Sequence, residues 1–184
     1  MATRFKRKNH HLQPMFWKRL SLFFFLMITG LYSCDYHFID PHRHHISFID
    51  PDKSISDSSF SPCFEEKIFP FYYGSEPSGF RPGKDSLAQY FHQNFDNFGD
   101  TSESGFITIR YVINCQGEAG RFILHQLGPD YKKKEFNQKI TNRLLELVKN
   151  LKDWRPIRFY DDHYDSFIYL SFKIENGELT AILP

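Results

Sequence analysis

Phe106-Ile-Thr-Ile-Arg-Tyr-Val-Ile-Asn114 alternates, with Ile107, Ile109, Tyr111 and Ile113 on one side and Thr108, Arg110 and Asn114 on the other. Successive side chains of a strand point to opposite faces, so this stretch predicts a half-buried β-strand. Gln116-Gly117 supplies a turn, and Arg121-Phe-Ile-Leu-His-Gln-Leu127 returns as the second strand of a hairpin. Gly128-Pro129 ends it. Beyond Lys132-Lys133-Lys134, the residues Phe136, Ile140, Leu144, Leu147, Val148 and Leu151 make one apolar stripe at helical spacing. Trp154-Arg-Pro156 is expected to stop that helix, because proline drives the residue before it to extended geometry. Upstream, Pro82-Gly-Lys-Asp85 precedes a shorter helical pattern carrying Leu87, Tyr90, Phe91 and Phe95, with Asp85 as the expected N-cap. Downstream, 166–174 reads as a third strand, Asn176-Gly177 as a tight hairpin turn, and 179–183 as the returning strand. Helix, hairpin, helix, hairpin predicts an α+β, two-layer fold: an antiparallel sheet of three to four strands with two helices packed on one face.

The rest of the chain sets limits on what this domain does. Among 184 residues, Phe 21, Tyr 10 and Trp 2 give an aromatic content of 18%, against four Ala and two Val. That excludes an Ala/Leu-rich coiled coil and a long disordered chain. Residues 1–33 hold six basic side chains and no acid, leaving 17 basic against 22 acidic, net −5, in the remainder. A nucleic-acid binder concentrates positive charge on its folded surface, so nucleic acid is not an expected partner.

Lys18-Arg19 followed by a short apolar run from Leu20 to Leu31 is too short to span a bilayer and has the basic front of a signal peptide, expected over 1–33. It runs into Leu31-Tyr32-Ser33-Cys34, which resembles a bacterial lipobox and makes Cys34 the expected lipidation site. Met15 offers a second start beside Met1. Residues 34–59 are rich in Ser, Asp and Pro, and Phe38-Ile-Asp-Pro41 recurs as Phe48-Ile-Asp-Pro51. This composition predicts a flexible tether, about 28 Å in mean reach, ahead of a domain over 60–184. His37, His42, His44 and His45 lack a fixed-spacing framework, so no metal is expected there.

With Cys34 acylated, Cys63 and Cys115 remain as an even pair in an oxidising compartment, where they either form a disulfide or stay as two thiols. No nucleophile elbow, zinc-protease helix, P-loop or dinucleotide fingerprint is present, so no enzyme and no cofactor are expected. Asp161-Asp162-His163 with Asp165 is the one dense polar cluster, expected in an exposed loop. Lys132–Lys134 is expected as a solvated approach to the long helix. Arg110 and Arg121 could bind a carboxylate terminus or phosphate, but the expected role is pairing with neighbouring acids such as Glu118.

Four stretches taken in order resemble the C-terminal domain of TonB. Phe80-Arg-Pro-Gly-Lys-Asp-Ser-Leu87 is similar to that family's approach to its first helix, and Ile109-Arg-Tyr-Val-Ile-Asn-Cys-Gln-Gly117 to its strand and turn. Trp154-Arg-Pro156 is similar to the close of its long helix, and Phe172-Lys-Ile-Glu-Asn-Gly177 to its tail. The resemblance covers roughly 80–184 and is nearest to lipoprotein-leader members from the Bacteroidetes. It implies a periplasm-facing domain, anchored by lipid to the inner or outer membrane, that binds an envelope protein such as a TonB-dependent receptor. In that family a receptor segment adds as a strand beside the sheet. The edge expected here is Leu179, Thr180, Ala181, Ile182 and Leu183. The alternatives are a tail that simply finishes the sheet and a structural envelope lipoprotein with no receptor role. The family's inner-membrane helix and long periplasm-crossing segment have no counterpart in this chain, which leaves energy coupling without support.

Overall fold

β3 (Gly105–Ile113) is the strand that the alternation over 106–114 predicts, and the rest of the sheet is assembled around it. The computed structural model describes residues 49–55, 59–96, 98–99 and 102–183, all within the unit His42–Pro184. Cys34 and the four tether histidines lie outside the described residues. Ahead of β3 come β1 (Ile68–Pro70), β2 (Gly79–Phe80) and α1 (Lys84–Asn94). After it come β4 (Ala119–Leu127), α2 (Gln138–Asn150), β5 (Trp154–Arg155), β6 (Ile157–Phe159), β7 (Asp162–Glu175) and β8 (Glu178–Leu183).

The fold is α+β, with a mostly antiparallel open sheet. Central β3 pairs antiparallel with β4 on one side and β7 on the other. β7 is 14 residues long, longer than the 166–174 run predicts, and its far side takes β8 along 171–175 and β1, in parallel, along 165–167. β6 folds back on its first residues, so six strands join the sheet where three to four are expected. The additional strands were hidden because β1 and β6 are three residues long, too short to show a period.

Both helices cover one face. Leu87 and Phe91 of α1 and Ile140, Leu144, Leu147 and Val148 of α2 bury against Ile107, Ile109, Tyr111 and Ile113 of β3 and Ile168, Leu170, Phe172 and Ile174 of β7. Phe91 meets Phe172 edge-on with ring centroids 4.8 Å apart, and the Tyr90 hydroxyl donates to the Leu147 carbonyl at 3.3 Å. The opposite face is partly covered by the segment leading to β1. Ile49 is 2% exposed against Val112 and Phe167, with Phe60, Ile68 and Ile123 packed around them. The described packing therefore reaches back into the stretch expected as a tether.

Helix limits differ from the sequence reading at both N-termini. α1 is capped by Gly83 at φ 90, not by Asp85, whose side chain instead lies in the first turn, where its charge favours the helix dipole. α2 begins only at Gln138, because Asn137 accepts from the Lys139 amide through its side chain at 3.0 Å. Its C-terminal stop precedes Pro156 by several residues: Leu151 is extended and Asp153 takes φ 64. Trp154 then pairs in β5 with β2 and buries its ring against Phe80 and Tyr111.

The β3–β4 turn needs its glycine. Gly117 has φ 83, and a Cβ there would stand 2.6 Å from the Trp154 carbonyl oxygen. Gly117→Ala is therefore expected to cost more than about 1 kcal/mol from backbone strain and collision together. Urea unfolding monitored by Trp fluorescence measures it, and an unchanged midpoint would contradict the close approach.

Candidate partner-binding edge

An open sheet ends in two strands whose outer backbone groups must be covered, protected or used. β4 is one end, and it is covered at three points. Ile55 and Phe122 exchange backbone hydrogen bonds at 2.8 and 3.0 Å, the Lys134 amide donates to the Gln126 carbonyl at 3.2 Å, and Leu127 bridges Lys133. The other end is shared by β1 and β8, which pair with successive stretches of the far side of β7, and no described strand pairs with the outer side of β8.

Register fixes which β8 groups face outward. Asn176 and Gly177, at φ 54 and 82, form the two-residue turn that the sequence predicts, so Glu175 and Glu178 close the hairpin. The register shifts after Lys173, placing both Thr180 and Ala181 opposite it as a bulge, and the Thr180 hydroxyl donates to the Lys173 carbonyl at 3.3 Å. Antiparallel alternation then turns the backbone groups of Leu179 and Ile182 outward and those of Ala181 and Leu183 toward β7. Leu179 is buried, Ile182 and Ala181 are half-buried, and Leu183 is 43% exposed. Beside this edge, His92 and Phe95 at the end of α1 form a groove of about 210 Å³ with Glu178 and Leu179. The helical stripe already contained Phe95; its neighbourhood to β8 comes from tertiary packing. At the hairpin, Lys173 bonds Glu175 at 2.8 Å and holds that carboxyl below the ordinary range.

The other sequence candidates are dispersed. Cys63 and Cys115 are joined, S–S 2.04 Å, and Asp165 lies against them. The Asp165 carboxylate accepts from the Phe64 amide at 2.7 Å and the Cys115 amide at 2.8 Å, and the Cys63 amide adds to their field. Burial nevertheless raises its pKa above the ordinary aspartate value, the three amides opposing that rise. The two sulfurs and this carboxylate are close enough to share a metal, but sulfurs bonded to each other are not thiolates. Asp161, Asp162 and His163 are not in a loop beyond the sheet: they occupy the β6–β7 hairpin and are exposed, with Asp161 paired to Arg158 at 3.3 Å. Asp165 turns the other way and is fully buried, so the cluster does not converge.

Arg121 pairs with Glu65, at 2.6 and 2.7 Å, rather than with Glu118, which accepts from the Asn114 side chain at 2.9 Å. Arg121 takes φ 55 at a β-bulge in β4, which re-aims its side chain. Arg110 lies on the face away from the helices, 5.7 Å from the Phe167 ring, and burial lowers its pKa. The lysine run is split. Lys134 pairs with buried Glu103 at 2.7 Å, while Lys132 pairs with Asp130 at 3.3 Å at the surface. Among the described residues no helix is long and apolar enough to cross a membrane. The chain matches no known protein family, no curated protein and no solved structure.

Proposed function

We propose that this chain is a lipid-anchored, periplasm-facing domain of the TonB C-terminal kind. On this reading it binds an extended segment of an envelope protein, a TonB-dependent receptor in the favoured case, by strand addition to β8. The carrying observation is the outer side of β8, with the backbone groups of Leu179 and Ile182 turned outward next to the groove of His92 and Phe95. Backbone pairing supplies affinity in such binding, and a groove beside the edge selects a side chain. The order α1, β3–β4 hairpin, α2, β7–β8 hairpin agrees with the resemblance in the sequence. The role is contact, not catalysis, and it requires no cofactor.

One observation favours the alternative, a structural envelope lipoprotein. The Thr180 bulge twists the edge strand, a device by which sheets avoid unwanted pairing.

Crosslinking capture from the native envelope separates the two readings. Ile182→Pro removes an outward amide while leaving the β7–β8 bonds, as edge strands tolerate; Ile182→Ala controls for the half-buried side chain. Receptor recovery is expected to fall roughly tenfold in Ile182→Pro and to persist in Ile182→Ala. No specific partner recovered by folded, anchored protein, or equal recovery by both variants, would leave the structural reading in place.

A further inference from the structure

Three chain segments meet at the start of β7. Ile68 of β1 pairs with Asp165, and Ile113 at the end of β3 pairs with Ser166, so Asp165 lies between the strap before β1 and the turn after β3. Those two segments bring Cys63 and Cys115, with Cα atoms 5.9 Å apart. One ligand atom from each of the three residues lies within 4.8 Å of the other two. Asp165 is fully buried, whereas both cysteines are half-buried. The Phe64 and Cys115 amides hold its carboxylate in place, one on each oxygen. A carboxylate offers about four lone-pair sites, so even with the Cys63 amide beside it at least one stays open. Such hydrogen bonds are what orients a carboxylate that binds a metal.

We infer that Cys63, Cys115 and Asp165 form a redox-gated site for a soft divalent cation of the zinc or cadmium class, closed by the disulfide and opened by reduction. A dithiol supplies the reduction. Its two sulfurs join as a disulfide, the Cys63–Cys115 bond breaks, and two electrons and two protons pass to the freed sulfurs. The cation then displaces the thiol protons and takes two thiolates and one carboxylate oxygen. Two thiolates favour zinc or cadmium over magnesium or calcium, which prefer oxygen shells. Tetrahedral metal–sulfur bonds of about 2.3 Å place the sulfurs about 3.8 Å apart, a spread that rotation about the two cysteine χ1 bonds provides. Three protein ligands leave the fourth position to water, on the side of the half-buried cysteines. The metal replaces the disulfide as the tie between the strap and the β3–β4 turn, so the strap stays fixed in either redox state. This site stands independently of the β8 edge.

Cadmium titration of the full chain carrying Cys34→Ser tests the site, because Cys63 and Cys115 are then its only cysteines. After reduction by a phosphine, one cadmium per chain is expected, with the ultraviolet absorption of cadmium–thiolate bonds. The oxidised protein is expected to show none of that absorption, and histidine-bound cadmium does not produce it. Reduced Asp165→Asn is expected to bind about tenfold more weakly, or worse. The proposal is overturned by a reduced protein without thiolate absorption, by one cadmium shared between two chains, or by equal affinity in Asp165→Asn. X-ray absorption of the reduced chain, loaded with one zinc, decides the matter should Asp165→Asn fail to fold. Two sulfurs at about 2.3 Å with oxygen at about 2.0–2.2 Å are expected. A sulfur count other than two, or imidazole scattering in the shell, overturns the site. No residue of the β8 edge is altered, so failure here leaves that reading untouched.

Discussion

Replacing Cys63 and Cys115 together with serine should lower the free energy of unfolding by roughly 4 kcal/mol. The bridge joins residues 52 apart in sequence, and in the chain-entropy account a loop of that length restricts the unfolded ensemble by this amount. It also fixes the strap before β1 to the turn after β3, so its loss releases cover from the sheet face that holds Val112 and Phe167. The check is guanidinium unfolding of oxidised wild type against the double serine variant. A difference below about 1 kcal/mol would mean that the strap is held by packing alone.

Asp165→Ala should cost at least about 2 kcal/mol, because it strands the Phe64 and Cys115 amides, which have no other acceptor among the described residues. The two sites touch, so their effects will not add. Once the disulfide is gone, the strap can swing its amides into water, and removing Asp165 then costs less. A double-mutant cycle reading independent, additive losses would show that Asp165 serves some other contact.

Asp165 also sets a pH dependence. Its folded pKa is raised, so the folded state holds the proton more tightly than the unfolded one. Its contribution to stability is then fully present below the ordinary aspartate value and lost as pH rises through the raised folded value. Wild type should therefore lose stability relative to Asp165→Asn across that acidic window. The opposite slope would mean that the three amides outweigh burial.

Several elements were legible before any coordinates because they are local. The Ile107–Ile113 alternation, the α2 stripe and the Asn176-Gly177 turn each state a face or a backbone conformation within a few residues. Counting, once Cys34 was set aside, left Cys63 and Cys115 as either a disulfide or two thiols, and the structure joins them. Others were not. The Asp161–Asp165 cluster read as one polar site, yet a strand alternates its faces, and the exposed and buried members part at the β6–β7 hairpin. Ala181, a natural choice for disrupting the edge, proves to face β7, since the Thr180 bulge shifts parity by one residue.

By itself, the sequence determined the fold class, the helix-hairpin order and the face of β3 that goes inward. Those follow from periodicity and turn chemistry, both properties of short windows. Tertiary structure decided that Ile49 and β1 cover the second face, that Asp165 gathers amides from chain positions 101 and 50 residues away, and that β8, unlike β4, keeps an edge that no described residue pairs with. These are meetings of distant residues. No local pattern encodes them, because they are selected by which of many possible long-range contacts leaves the fewest buried groups unpaired and the fewest voids.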